Sequence, residues 1–356
     1  MILLRFLIAI GAGLFGVSGV TLAGDGACRL PARIIGDVKL HTGCTYNGSI
    51  VISSSDTVLD CQGAILDGQN LRETAISISG RGKQIQNVTV KNCQITGFNG
   101  RVINVTSGVP KWRLLTDVHA NYDVAPKHVI IDGVQVSGGR GGVYFDSYVN
   151  GSILRNSIVR GADKVGVYLE QGTRDISILN NKILDNGALT RREGLAIDSS
   201  AHNVVRGNLF QGNAAGGIFI YKNCGENFNS GKSVLRWQSS DYNEIMDNEF
   251  RGQPVGVWVA SRQSRNLSKW GCGDRALDQQ GRYYEDFANH NVVQANRFCG
   301  VKVPVRVEGD HNVVSNNKSD VRVAEMVLEP FKFKAKPDGR MTVGNRFEAN
   351  SSFVCD

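Results

Sequence analysis

Apolar side chains alternate with polar or aromatic ones in a five-residue block that returns along the chain. Full copies are Gly142-Val143-Tyr144-Phe145-Asp146, Gly166-Val167-Tyr168-Leu169-Glu170, Gly194-Leu195-Ala196-Ile197-Asp198, Gly217-Ile218-Phe219-Ile220-Tyr221 and Gly256-Val257-Trp258-Val259-Ala260, with looser copies at 76–79, 103–106 and 305–308. Strand side chains alternate between faces, so each block predicts a short strand whose second and fourth residues share one face. That pair is apolar in every copy, from Ile76/Ile78 to Val305/Val307, and predicts a core. The opposite pair reads Tyr144/Asp146, Tyr168/Glu170, Ala196/Asp198, Phe219/Tyr221 and Trp258/Ala260. If consecutive copies stack in register, an outward aromatic column runs beside three carboxylates on neighbouring strands.

A second repeat, Ser152-Ile153-Leu154-Arg155-Asn156-Ser157-Ile158, recurs at 177–183, 204–210, 244–250, 292–298 and 313–319. Its anchors are Asn92, Gly133, Asn156, Asn181, Asn208, Asn248, Asn296, Asn317 and Asn345. A basic period in the low twenties of residues, with occasional excess, is the signature of a solenoid carrying loop insertions. Asparagine suits a repeated bend because it tolerates left-handed backbone and its amide can bond along a stack. Long amphipathic helical patterns are absent after the first residues, which argues against a doubly wound or barrel fold. The excess lies at 108–127, 224–241 and 263–290, each following an outward strand, so these insertions are expected to rise as one wall and to offer Trp112, Trp237, Trp270, Tyr283 and Tyr284 to sugar rings.

In repeat period, asparagine anchors and apolar stacking, residues 50–350 resemble the right-handed parallel β-helix proteins typified by pectate lyases. The resemblance implies an all-β fold, a single-stranded right-handed parallel β-helix solenoid. It also implies work on glycans, since such proteins are commonly secreted polysaccharide lyases, glycoside hydrolases, C5 epimerases or phage-type depolymerases. It does not choose among those reactions. The expected organisation is a signal peptide at 1–23, an N-terminal cap at 24–50, the β-helix at 51–350 and a tail at 351–356.

The first residues change the picture of where the chain works. Arg5, an apolar stretch over 6–20 and Thr21-Leu22-Ala23 read as a secretory signal with its cleavage site. A secreted or periplasmic protein with no stable membrane insertion after signal removal is expected. All eight cysteines follow that site, and an even number in an exported chain favours disulfides. The pairs expected from repeat neighbourhood are Cys28 with Cys44, Cys61 with Cys93, Cys224 with Cys272, and Cys299 with Cys355. Loss of Arg5 from 40 basic residues leaves 39 against 33 acidic, a net of +6, which suits an anionic glycan as partner. With no basic run and no phosphate-cradling loop, nucleic acid is not expected. A monomer is expected. The six histidines do not suggest catalysis, and His202, His290 and His311 read as corner residues.

Strands lie ~4.8 Å apart, so Asp146, Glu170 and Asp198 would form a ladder of like charges that must be protonated or share a cation. One reading makes all three ligands of Ca²⁺, the arrangement that the pectate-lyase resemblance implies, with a basic residue nearby to abstract the C5 proton of a uronate. Lys222 is the first candidate base and Tyr221 the second, with Glu170, Asp198 and Arg262 completing the catalytic set. Tyr144, Tyr168, Phe219, Trp258, Arg191 and Arg192 are the candidate substrate-binding residues. On this reading Glu170→Gln abolishes turnover and leaves the fold intact. The alternatives are a glycoside hydrolase using two of the three acids, with Glu170 as acid and Asp146 or Asp198 as base, a C5 epimerase, or a non-catalytic glycan-binding envelope protein.

Overall fold

The computed structural model describes residues 28–355; the segment read as a signal peptide lies outside them. Strand pairing is parallel and advances one coil at a time. One sheet of 11 strands gathers segments such as Ile153–Arg155, Ser177–Leu179 and Val204–Arg206. A second, of 19 strands, turns a corner, because two 11-residue strands, Glu249–Val259 and Arg297–Val307, run through both of its faces. The chain therefore winds as a parallel β-helix. Strands begin at Asp37, inside the stretch expected to be a cap, and end at Ser352, inside the expected tail.

The five-residue blocks are the outward strands, stacked in the expected register: Val143 beside Val167, Val167 beside Leu195, Leu195 beside Ile218 and Ile218 beside Val257. Their second and fourth residues are at most 1 % exposed and line the core. Burial of one such side chain stabilises the fold by about 1.5–3 kcal/mol, and the solenoid repeats it on every coil. Phe210, Phe250 and Phe298 stack within this core at ring separations of 5.1 and 4.8 Å.

The asparagine anchors divide into separate columns. Asn181, Asn208, Asn248, Asn296, Asn317 and Asn350 form one buried ladder, each side-chain amide donating to the next Oδ1 at 2.9–3.0 Å. Asn203, Asn243, Asn291, Asn312 and Asn345 form a second. Asn92, Gly133 and Asn156 belong instead to a column of left-handed bends, with φ of 57°, 62° and 52°. The anchor assignment thus merged neighbouring positions, because the bend residue immediately precedes the ladder residue. Asn248 donates to Val205 O (2.8 Å) and Asn296 Oδ1, while its own Oδ1 accepts from the backbone and side chain of Asn208. Asn248→Ala leaves these buried partners unpaired, and a loss of about 3 kcal/mol is expected in urea denaturation.

His202, Tyr242, His290 and His311 occupy left-handed corners, as expected for the histidines, and their rings stack at 5.0–5.2 Å. All four expected disulfides form, with Cα separations of 5.3, 4.8, 5.2 and 5.8 Å. Bonds of this kind persist in oxidising compartments. Among the described residues no helix is long and apolar enough to cross a membrane. The three insertions gather at the C-terminal ends of the outward strands. Tyr122 Oη donates to Gly172 O (2.7 Å), the Gln238 amide donates to Thr173 O and Ser199 O, and Cys224–Cys272 ties the second insertion to the third.

Candidate functional site

Three neighbouring strands, Gly141–Phe145, Val167–Leu169 and Glu193–Asp198, carry three parallel rows. Register places Arg140, Lys164 and Arg192 side by side just before the strands, then Tyr144, Tyr168 and Ala196 on the outward face, then Asp146, Glu170 and Asp198 at the far ends. Backbone bonds fix the first row locally: Lys164 N donates to Arg140 O (3.0 Å) and Arg140 N to Gly100 O (2.9 Å).

The acid ladder exists, but two of its three members are sealed and Asp146 is only partly exposed. Glu170 and Asp198 are 1 % and 0 % exposed. Arg236, from the second insertion, lies between them with Nη1 at 2.7 Å from Glu170 Oε1 and 3.0 Å from Asp198 Oδ2. Lys111, from the first insertion, and the Tyr144 phenol both donate to Glu170 Oε2. Asp198 also accepts from Tyr168 Oη (2.7 Å) and the Asn223 amide (2.5 Å), and Asp146 from Thr106 Oγ1 (2.8 Å), with Arg101 at 3.7 Å. Burial alone would raise the pKa of Glu170, but Lys111 and Arg236 outweigh it and hold the carboxyl below the usual range. Three cations thus answer three acids.

That donor set does not fit Ca²⁺. The ion takes ~6–8 oxygen ligands, whereas the ladder's oxygens are directed at an ammonium, a guanidinium, phenols and amides. Among the described residues no group of three or more His, Cys, Asp or Glu is placed to hold a metal. The expected Asp146/Glu170/Asp198 metal site is replaced by ion pairs, because the insertions deliver basic residues to the acids.

Beside the ladder lies an open groove of about 560 Å³, lined by Arg101, Arg140, Lys164 and Arg192 with Tyr144 and Tyr168. The two tyrosine rings stack on one another at 4.9 Å, and the Arg101 guanidinium covers Tyr144 at 3.6 Å, so their faces are occupied and their edges meet the groove. Adjacent coils sit one ring-stacking distance apart and the rings satisfy each other, so the candidate binding residues Tyr144 and Tyr168 present edges rather than faces. Burial, then Glu170 for Tyr144 and Asp198 for Tyr168, pushes both phenols well above their ordinary pKa and keeps them protonated. Arg192 pairs with Glu193 at 2.8 Å. Neither Arg140 nor Lys164 has a carboxylate within ion-pair distance among the described residues. Desolvation, then the neighbouring Arg140 and Arg192, lowers the Lys164 pKa. Two cations held together without a counter-ion make a site for an anion.

The remaining expected residues lie elsewhere. Lys222 pairs with Asp274 at 3.2 Å and lines a separate groove with Arg275, Glu285 and Phe287. Tyr221 is fully buried. Its hydroxyl donates to Glu193 (3.2 Å), Arg262 covers its ring at 3.7 Å, and burial with Glu193 pushes its pKa up, which removes it as a base. Arg262 is buried against Asn223. Phe219 is 2 % exposed and packs edge-on against Trp258, which Arg306 covers at 4.3 Å, so neither offers a free face to sugar. Arg191 is exposed on the preceding turn, outside the groove. Of the expected residues the groove gathers Tyr144, Tyr168 and Arg192. The residues not anticipated are Arg101, Lys111, Arg140, Lys164 and Arg236. Arg140 and Lys164 carried a signal: with Arg192 they stand two residues before the glycine of three consecutive blocks.

Comparison with known proteins gives the following. The model of the family described as "Right handed beta helix region" matches residues 115–234. A search of the curated proteins gives no match. Among solved structures, the chain is similar to an alginate lyase from Paenibacillus sp. str. FPU-7, at 14 % identity and a TM-score of 0.48, over 91 % of this chain and 92 % of that one. It is similar to the mannuronan C-5 epimerase AlgE6 A-module of Azotobacter vinelandii, at 12 % identity and a TM-score of 0.41, over 90 % and 77 %. It is similar also to the tailspike of E. coli bacteriophage HK620, at 12 % identity and a TM-score of 0.47, over 90 % and 60 %. The parallel one-coil register, together with the family match in its central third, makes the described chain a right-handed parallel β-helix protein.

Proposed function

We propose that this is an exported enzyme that acts on an acidic, uronate-containing polysaccharide by β-elimination in the groove. The observation that carries this reading is the pair Arg140 and Lys164, basic side chains on adjacent coils of an open groove with no carboxylate within ion-pair distance among the described residues. A uronate carboxylate supplies the missing charge, and guanidinium groups meet it in bidentate fashion. The C5 proton to be removed lies on the carbon beside that carboxylate. Arg140 neutralises the carboxylate and so stabilises the enediolate that develops, while Lys164, whose pKa is lowered by desolvation and then by Arg140 and Arg192, accepts the proton in its free-base form. The C4–O bond then breaks, and the leaving oxygen takes a proton from the lysine ammonium just formed or from solvent. Glu170 is poorly suited to be a hydrolase's general acid, since Lys111 and Arg236 hold its carboxyl below the usual range. The work of the buried acids is to set the tyrosines and anchor the insertions.

The test is incubation with polymannuronate, polyguluronate, polygalacturonate and neutral glucans. An unsaturated product absorbing in the ultraviolet from one of the uronate polymers is expected, with none from the glucans. New reducing ends without that absorbance would make the protein a hydrolase. Exchange of the C5 hydrogen with solvent deuterium without scission would make it an epimerase, and binding without either a glycan-binding protein. Each of these outcomes overturns the lyase reading.

A further inference from the structure

Resting on the acidic-glycan reading, we infer that the groove is blind at one end, so that the protein takes a polysaccharide by a chain end and trims it there rather than cutting within it. The groove runs along the helix axis from Glu73 to Arg192, which lie on the first and last of five successive coils, a length of ~19 Å at ~4.8 Å per step. Its floor is the outward row, in which Asn104, Tyr144 and Tyr168 stand side by side. The next two members of that row, Ala196 and Phe219, also face outward, yet they are 0 % and 2 % exposed. A bar of side chains crosses the sheet there. Arg192 donates from Nε and Nη2 to the Glu193 carboxylate (3.0 and 2.8 Å), and Nη2 also reaches Tyr221 Oη (3.1 Å). Arg262 covers the Tyr221 ring at 3.7 Å and lies 5.5 Å from the ring of Trp270 in the third insertion. The bar thus joins the turn before the strand Glu193–Asp198 to the insertion beyond the strands' C-terminal ends. Glu193, Tyr221 and Arg262 are at most 4 % exposed, and parting them would leave buried charge without a partner, so the bar does not swing aside. At the opposite end Thr74, Asn99 and Gly100 present only short side chains and leave the groove open. An internal stretch of polymer must leave a groove at both ends, whereas a chain end needs only one exit. Lys164 stands one coil from Arg192, so the bond that is cut lies about one or two sugars from the end.

The experiment counts proteins per polysaccharide chain, a number that does not depend on the bond chemistry. Polymannuronate, polyguluronate and polygalacturonate fractions of roughly 10 to 40 residues, the longest several times the ~19 Å groove, are mixed with an excess of the full chain carrying Lys164→Gln, which is expected to leave them uncut. The complexes are weighed by light scattering after gel filtration. One protein per chain is expected at every length. In turnover by the parent, unsaturated mono- or disaccharide is expected from the earliest time points, while viscosity falls slowly. Tyr221→Ala takes the middle out of the bar, and once circular dichroism shows it folded, more than one protein is expected on the longest chains. If that variant does not fold, the count with Lys164→Gln decides alone. A count that grows with chain length, or an early collapse of viscosity with large products, overturns the blind end and leaves the acidic-glycan reading standing, as does a folded Tyr221→Ala variant that stays at one per chain. No complex of the parent or of Lys164→Gln with any polyuronate overturns both.

Discussion

Replacing Arg236 with methionine is expected to cost the fold about 3–5 kcal/mol at pH 7, because it strips the shared partner from two buried carboxylates. Glu170 and Asp198 are at most 1 % exposed, and the guanidinium lies within 3.0 Å of both. Urea denaturation should recover about half of the loss when Glu170→Gln and Asp198→Asn are added, since no unpaired charge is then left inside. The pH dependence has a definite sign. In the parent, Glu170 has a depressed pKa, so its stabilising charge is complete above the ordinary carboxylate pKa and is lost only as pH falls through the depressed value. In Arg236→Met that depression is reduced, and protonation relieves the penalty. The gap between variant and parent should therefore narrow as pH falls toward the ordinary carboxylate range. A loss at pH 7 under ~1 kcal/mol would show that the ion pair is not what seals the ladder. The same geometry revises the expectation for Glu170→Gln: the change leaves Lys111 and Arg236 short of an anion, so it is expected to weaken the fold rather than leave it intact.

Most of the scaffold was legible because its physics is local and periodic. Val143/Phe145 and their counterparts announce a buried face by alternation alone, and stacking the copies put Asp146, Glu170 and Asp198 on adjacent coils and the cysteines within bonding distance. The fate of the acids was not legible. Their partners reach them from irregular loops, Lys111 59 residues and Arg236 66 residues from Glu170, and a repeat pattern says nothing of side chains outside the repeat. Strict alternation past Tyr221 would point Lys222 with the core-facing set, so its role as base requires the strand to stop at Tyr221. The strand Gly216–Tyr221 does end before it, but the ammonium turns away to Asp274 in a neighbouring groove. Tyr144 and Tyr168 were correctly placed outward, but their stacking was not legible: the coil spacing that aligns them also lets the two rings cover each other. The basic row could have been found. Arg140, Lys164 and Arg192 hold one position in three successive blocks, but attention to the five block residues excluded the two before the glycine.

Lys164→Gln is expected to lower kcat ~10²–10⁴-fold, the usual worth of a positioned general base. Lys164→Arg separates basicity from placement: it keeps a basic side chain beside Arg140, so KM should stay within a few-fold of the parent, while kcat remains lost because a guanidinium does not deprotonate in this range. The pH profile gives a further readout. A base must be neutral to act, so kcat/KM should rise with pH through the Lys164 pKa, which desolvation and then Arg140 and Arg192 set below that of a free lysine. Arg140→Gln removes one of the two repelling charges, the pKa moves back up, and the rising limb should shift to higher pH. A residue that merely lines the groove would lower kcat/KM when mutated but would not couple the pH limb to its neighbour. Activity of Lys164→Gln within tenfold of the parent, or a limb unmoved in Arg140→Gln, would remove Lys164 as the base and leave the groove a binding surface whose chemistry resides elsewhere.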